Sequence, residues 1–217
     1  MKNGPRLMHA LIILVAASGL AGCASSPSAR FYTLTPLSPQ QAQPASPAAS
    51  PVSVSIAPVE IPDYLDRSQI VTRDGQNELN LAEYERWAGS LSDNISAVLA
   101  ENLGLLLGSD RVFVYPRLRP EKPDYFVSLR ILRLDCTPGS RVLLKAQWTV
   151  AAGADGKEVA TRISSVSEPL TDQGYPTMVA AVGRSLEKVS QDIAREIPAR
   201  QPGPAVTAGE PAVPASP

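Results

Sequence analysis

The chain has 217 residues, 20 Lys and Arg against 21 Asp and Glu, a formal net charge of −1, one histidine and two cysteines. That balance lacks the basic excess of a nucleic-acid binder. A single histidine, His9, leaves little for Ser-His-Asp, Cys-His or zinc hydrolase chemistry.

The first 22 residues carry Lys2 and Arg6 and then an apolar run over 10–20. That run is about half the ~20 residues a membrane-spanning helix needs, so it reads as the core of an export signal. Leu20-Ala21-Gly22-Cys23 resembles the lipobox of bacterial lipoproteins. The resemblance implies cleavage before Cys23 and a covalent lipid on its thiol, and two or more acyl chains anchor a protein stably. Ala24 stands where aspartate would direct retention in the inner membrane, so the expected address is the inner leaflet of the outer membrane. Cleavage removes Lys2, Arg6 and His9 and leaves 18 basic residues against 21 acidic, with no histidine. Catalysis would then fall to carboxylates or lysines. No catalytic residue, metal ligand or cofactor is expected beyond that lipid.

Residues 23–51 read as the lipidated N-terminus and a tether rich in Pro, Ala and Ser, with one β-prone patch at Phe31-Tyr-Thr-Leu-Thr35. A folded domain is expected over 52–198 and a Pro- and Ala-rich disordered tail over 199–217. The domain opens with a half-buried strand over 52–56, since Val52, Val54 and Ile56 alternate with serines. Asp74-Gly75 marks a hairpin between 70–73 and 78–81. A helix is expected over 82–107. Trp87, Leu91, Ile95, Val98, Leu99, Asn102 and Leu106 form its stripe, Asn80 and Glu83 its capping box, and Gly108 its stop. Asn102 interrupts that stripe and needs hydrogen-bond partners inside the fold.

Further strands are expected over 111–115, 124–136, 141–152 and 157–168, the last three forming an antiparallel meander. Val142, Leu144, Ala146, Trp148 and Val150 make one apolar face. Cys136, the other cysteine, reads as a buried small hydrophobe rather than a reactive thiol. A final helix over 176–197 carries Met178, Val182, Leu186, Val189, Ile193 and Ile197, with Pro176 in its first turn and Pro198 past its end. The expected fold class is α+β, a mainly antiparallel sheet with two long helices packed on one face.

Four features are candidates for recognition. Pro62-Asp-Tyr-Leu-Asp-Arg67 is a polar and aromatic loop between strands, where binding residues concentrate. Asp63, Tyr64, Leu65, Asp66 and Arg67 are therefore the candidate partner-binding residues. The alternative is that Asp63 and Asp66 cap turns and Arg67 pairs with one of them. Arg111, Arg117 and Arg119 gather near Tyr115 and suit an anionic partner or a solvated loop. Trp87 and Trp148 lie on apolar stripes and read as core. Leu105-Leu106-Leu107 carries more apolar surface than one helix stripe uses, which points to an oligomer or partner contact.

Several segments together resemble the PqiC-like lipoproteins, auxiliary subunits of MCE-type intermembrane transport systems. They are the lipobox, residues 31–35, 58–67 and 69–73, Arg86-Trp87-Ala88, residues 91–95 and 99–103, Gly108-Ser-Asp-Arg-Val112, Asp124-Tyr125 and residues 164–170. Ser68 departs from the family, which often has proline there. The resemblance implies a non-enzymatic lipoprotein, anchored in the outer membrane and facing the periplasm. It would dock on the MCE tunnel protein of a system with permease-like or ABC inner-membrane subunits, form a homo-oligomer and support envelope integrity. Two competing functions are a carboxylate-dependent envelope hydrolase built on Asp63 and Asp66, and a structural envelope lipoprotein. The chain's Pro-Ala-Ser-Pro ending lacks the C-terminal lysine the latter would use for attachment.

Overall fold

The computed structural model describes residues 27–40, 52–116 and 122–197. The signal segment, Cys23, most of the tether, Arg117, Arg119 and the tail lie outside the described residues. Among the described residues no helix is long and apolar enough to cross a membrane.

Within the described residues, eight strands and two helices follow in the order β1 (Arg30–Tyr32), β2 (Val54–Ile56), β3 (Gln69–Asp74), β4 (Glu78–Trp87), α1 (Leu91–Leu107), β5 (Val112–Val114), β6 (Tyr125–Thr137), β7 (Arg141–Ala152), β8 (Glu158–Pro169) and α2 (Tyr175–Glu196). They build two mixed sheets, ordered β1-β4-β3 and β5-β2-β6-β7-β8. This corrects the single, mainly antiparallel sheet read from the sequence. The β6-β7-β8 meander is antiparallel as expected, but β2 runs parallel to both β5 and β6, and β1 runs parallel to β4. The helices are not simply two layers on one face. Helix α2 packs on β7 and β8, while α1 packs on α2 and against β5.

The inner position of β2 explains a second difference. A half-buried strand was expected, yet Val52 to Ile56 are all buried, serines included. Buried hydroxyls need partners. Ser53 bonds the Asp124 carboxylate from its backbone N–H (2.7 Å) and its hydroxyl (2.8 Å).

The expected helix over 82–107 divides. Residues 78–87 form β4, paired with β3 and β1, so Asn80 and Glu83 cap nothing. Gly89 adopts φ 141°, a conformation a side chain resists. Ser90 is the N-cap of α1 and accepts from Asp93 N–H at 3.3 Å. Gly108 ends the helix in the left-handed region, φ 59°, and its N–H caps the last carbonyls.

Residues 30–37, read as tether from the sequence, join the domain. Leu34 and Leu37 are buried. Their backbone N–H groups donate to Asn94 (3.1 Å) and Asn102 (2.7 Å), both on α1. Asn102 thereby finds its partners: it accepts from Leu37 and donates to Ser190 of α2 at 3.1 Å. One fully buried amide ties the strap to both helices.

Glu168 on β8 is almost wholly buried and receives Lys188 (2.6 Å) and Arg184 (3.0 Å) from α2. Burial pushes its carboxyl pKa upward, but the two cations outweigh that and hold it below the usual value. A depressed folded pKa contributes stability above the unfolded value, near 4.5, and that stability fades as pH falls through the folded one. Glu168→Gln is therefore expected to flatten the acid limb of stability against pH, measured as urea midpoints from neutral pH downward. Parallel limbs in the two proteins would refute this.

Candidate docking site

The loop over 62–67 sits between β2 and β3 and is fixed at both ends. Before it, Glu60 N–H donates to Leu129 O (3.1 Å) and Ile131 N–H donates to Glu60 O (2.8 Å), stitching the segment to β6. After it, Trp87 N–H donates to Ser68 O at 2.7 Å. Within it, Leu65 N–H bonds Pro62 O, and Asp66 N–H bonds Asp63 O. A loop so tied presents its side chains with little ordering left to do on binding.

The five candidates divide into supports and a surface. Leu65 is buried in the core at 3% exposure. Tyr64 is half-buried, and its hydroxyl accepts from Leu134 N–H (3.3 Å) on β6 and faces Leu134 O (3.5 Å). Asp63, Asp66 and Arg67 are exposed. Among the described residues their side chains make no hydrogen bond or ion pair, so the acids do not cap the turn and Arg67 does not pair with them. Asp63 and Asp66 stand exposed on a turn rather than facing each other across a cleft, the arrangement a two-carboxylate hydrolase uses.

The remaining candidates are quickly placed. Trp87 and Trp148 are core residues, at 5% and 2% exposure. Cys136 is buried, and burial pushes its thiol up to about 12, so it is an inert hydrophobe rather than a nucleophile. Arg111 and Tyr115 are exposed, but the rest of that arginine group lies outside the described residues. Leu106 is buried, whereas Leu105 lines an open groove of about 660 Å³ beside Leu37 and Val112.

The family model of ABC-type transport auxiliary lipoprotein components matches residues 32–194, from β1 into α2. The chain belongs to this family. It is PqiC-like, as the resemblance implied, and the family is an auxiliary lipoprotein component of ABC-type transport. Membership also makes the protein a membrane-anchored, envelope-associated lipoprotein. No curated protein matches the chain. Among solved structures, an uncharacterised protein is similar at 18% identity and TM-score 0.64, over 78% of this chain and 99% of that one. A protein from Xanthomonas campestris is similar at 16% identity and TM-score 0.61, over 76% of this chain and 92% of that one. At such identity these likenesses establish the fold alone.

Proposed function

We propose that this protein is the outer-membrane lipoprotein subunit of an MCE-type intermembrane lipid transport system. Cys23 carries the lipid, and the folded domain docks on the periplasmic MCE tunnel protein. The reading is carried by the family match over residues 32–194, which makes the chain an auxiliary part of a transporter. The absence of histidine after cleavage before Cys23 agrees with an accessory rather than a catalytic role. The protein acts as a homo-oligomer, for which groove-lining Leu105 offers spare apolar surface, and it supports envelope integrity. Deletion is expected to raise sensitivity to detergents and lipophilic agents, and the protein to co-purify with the MCE partner. A mature chain with no affinity for any MCE protein of its own cell would defeat the reading.

Docking falls to the loop over 62–67, because Leu65 and Tyr64 hold Asp63, Asp66 and Arg67 outward without internal partners. Reversing two of these charges together, Asp66→Arg with Arg67→Glu, turns attractive contacts into repulsive ones. An interface of complementary charge should lose about tenfold or more in affinity. The thermal midpoint should not move, since both side chains are exposed. Unchanged affinity, measured by surface plasmon resonance on the MCE protein, would remove the loop from the interface and leave the family assignment intact.

A further inference from the structure

The outer face of the five-stranded sheet carries a concentration of cations that the docking loop does not use. Asp135 of β6 is buried, at 5% exposure, and takes an arginine on each oxygen. Arg73 of β3 approaches Oδ1 at 2.7 Å, and Arg133 of β6 pairs with Oδ2. Arg133 makes a hydrogen bond, whereas Arg73 stands at ion-pair distance without hydrogen-bond geometry, so Asp135 Oδ1 and Arg73 Nε have no hydrogen-bond partner among the described residues. Two further cations share its face. Arg141 of β7 lies opposite Thr137 and lines the same hollow, of about 400 Å³, as Arg73, Arg133 and Asp135. Lys145 of β7 lies directly opposite Arg133 in the antiparallel register.

Neither Arg141 nor Lys145 makes a hydrogen bond or ion pair among the described residues. Four cations around one carboxylate leave a local excess of three positive charges, on a chain whose mature form is mildly acidic. The acids at the neighbouring hairpin tip, Asp74 and Glu78, pair with each other in register and do not line the hollow. Like charges directly opposed across two strands are destabilising. An anion in the hollow would reverse the sign of that cost.

The anchoring asparate also fixes the geometry of what is offered. Arg133 spends Nε on Asp135, Arg73 Nε stands 2.7 Å from Oδ1 without a hydrogen bond to it, and Arg73 sends Nη1 to Gln76 O at 2.9 Å. The terminal nitrogens of Arg133 remain available beside the unpaired Arg141. Forked guanidinium donors held in place match the oxygens of a phosphate group.

The chain also brings this face near a membrane. Arg73 lies four residues along β3 from Gln69, and Gln69 and Arg30 pair with adjacent residues of β4. Cys23 precedes Arg30 by seven residues, which span at most about 25 Å. Lipid headgroups therefore lie within a domain's width of the cations.

We propose that Arg73, Arg133, Arg141 and Lys145 form a phosphate-binding site that takes the headgroup phosphate of an anionic phospholipid. The proposal rests on the lipid-anchored reading only for the nearness of headgroups. It is tested on the mature chain carrying Cys23→Ser, without a transport partner, so it can fail independently of MCE docking. The probes are phosphatidylcholine vesicles with and without phosphatidylglycerol, and inorganic phosphate as competitor.

The protein should bind the phosphatidylglycerol vesicles and not the neutral ones, with inorganic phosphate competing. Arg141→Ala with Lys145→Ala, which spares the Asp135 ion pairs, should weaken vesicle binding about thirtyfold, the effect of two cations close to an anionic surface. Lys157→Ala with Arg162→Ala removes the same charge elsewhere and should weaken it far less. Equal losses in the two double variants would show diffuse charge attraction and overturn the site. So would equal binding to neutral vesicles. Binding of inorganic phosphate without vesicle binding would overturn the headgroup assignment. So would an Arg141→Ala with Lys145→Ala variant that keeps full vesicle affinity.

Discussion

Cys23→Ser is expected to abolish complementation of a deletion strain while leaving the folded domain unchanged. Strand β1 begins at Arg30, and the core residues that follow, Leu34 and Leu37, donate their backbone N–H groups to Asn94 and Asn102 of α1. Removing the thiol that we propose is acylated leaves those bonds in place. It does remove the membrane affinity that acyl chains supply, about 0.8 kcal/mol for each buried methylene. A chain released into the periplasm is diluted away from the outer end of a conduit, and docking must then rely on its intrinsic affinity alone. The readouts are detergent sensitivity of the complemented strain and the circular-dichroism melting curve of the purified protein. Full complementation by the soluble form would show that anchoring is dispensable. A shifted melting curve would show that the N-terminus is part of the fold's stability.

Trp148→Ala is expected to cost about 3–5 kcal/mol of stability, the range for truncating a large aromatic in a packed core. Trp148 is 2% exposed on the core face of β7, between Ala146 and Val150, which are fully buried. Its indole N–H donates to Ser164 Oγ at 3.0 Å, and that hydroxyl donates in turn to Asp192 of α2 at 2.6 Å. The substitution empties a large volume and breaks a chain of bonds running from β7 through β8 to α2. For a domain of this size each kcal/mol moves the melting midpoint by roughly 2–4 °C, so a fall of about 10 °C is expected. Trp148→Phe keeps most of the volume and should cost far less, near the ~1 kcal/mol of one buried hydrogen bond. A Trp148→Ala loss below about 1 kcal/mol in urea unfolding would mean that β7 does not face α2 across a close-packed layer.

Much of the fold was legible because local pattern and tertiary position agree. The strands β6 and β7 alternate apolar and polar over long runs, β8 follows them across the turn at Ala154-Asp-Gly156, and the stripe of α2 recurs at helical spacing, so all four were placed within a residue or two. The failure at 82–87 has a physical cause. The segment Ala82-Glu-Tyr-Glu-Arg-Trp87 is rich in residues that favour helices, and it is pairing with β3 and β1 that holds it extended. Context overrides propensity most readily in strands. The punctuation was nevertheless present: Gly89 followed by Ser90 and, three residues on, Asp93 is a helix start. The short strands β1, β2 and β5 join their neighbours in parallel, and no local pattern encodes which distant strand a three-residue segment will meet.

The candidate sites divide on the same line. The loop over 62–67 is contiguous, so its distinctive sequence could be seen, although only the fold shows that Leu65 and Tyr64 are its footing rather than its surface. The cations near Asp135 come from β3, β6 and β7. Nothing in the sequence brings Arg73 to Asp135, because their proximity depends on how β3 lies against β6.

The parallel pairing of β1 with β4 has a mechanical consequence. Pulling on the N-terminal end of β1 draws it along its own axis, so its short, three-residue ladder with β4 resists in shear, its bonds sharing the force, rather than unzipping one bond at a time. Arg30, clasped by Glu85, and Tyr32, which donates to the same carboxylate at 2.6 Å, reinforce those rungs. Behind them the strap's bonds to Asn94 and Asn102 form a second catch. Tension arriving from the membrane-anchored end would be taken up at this entry point before it reached the helices, so the protein can be tugged by its leash without being unravelled from it.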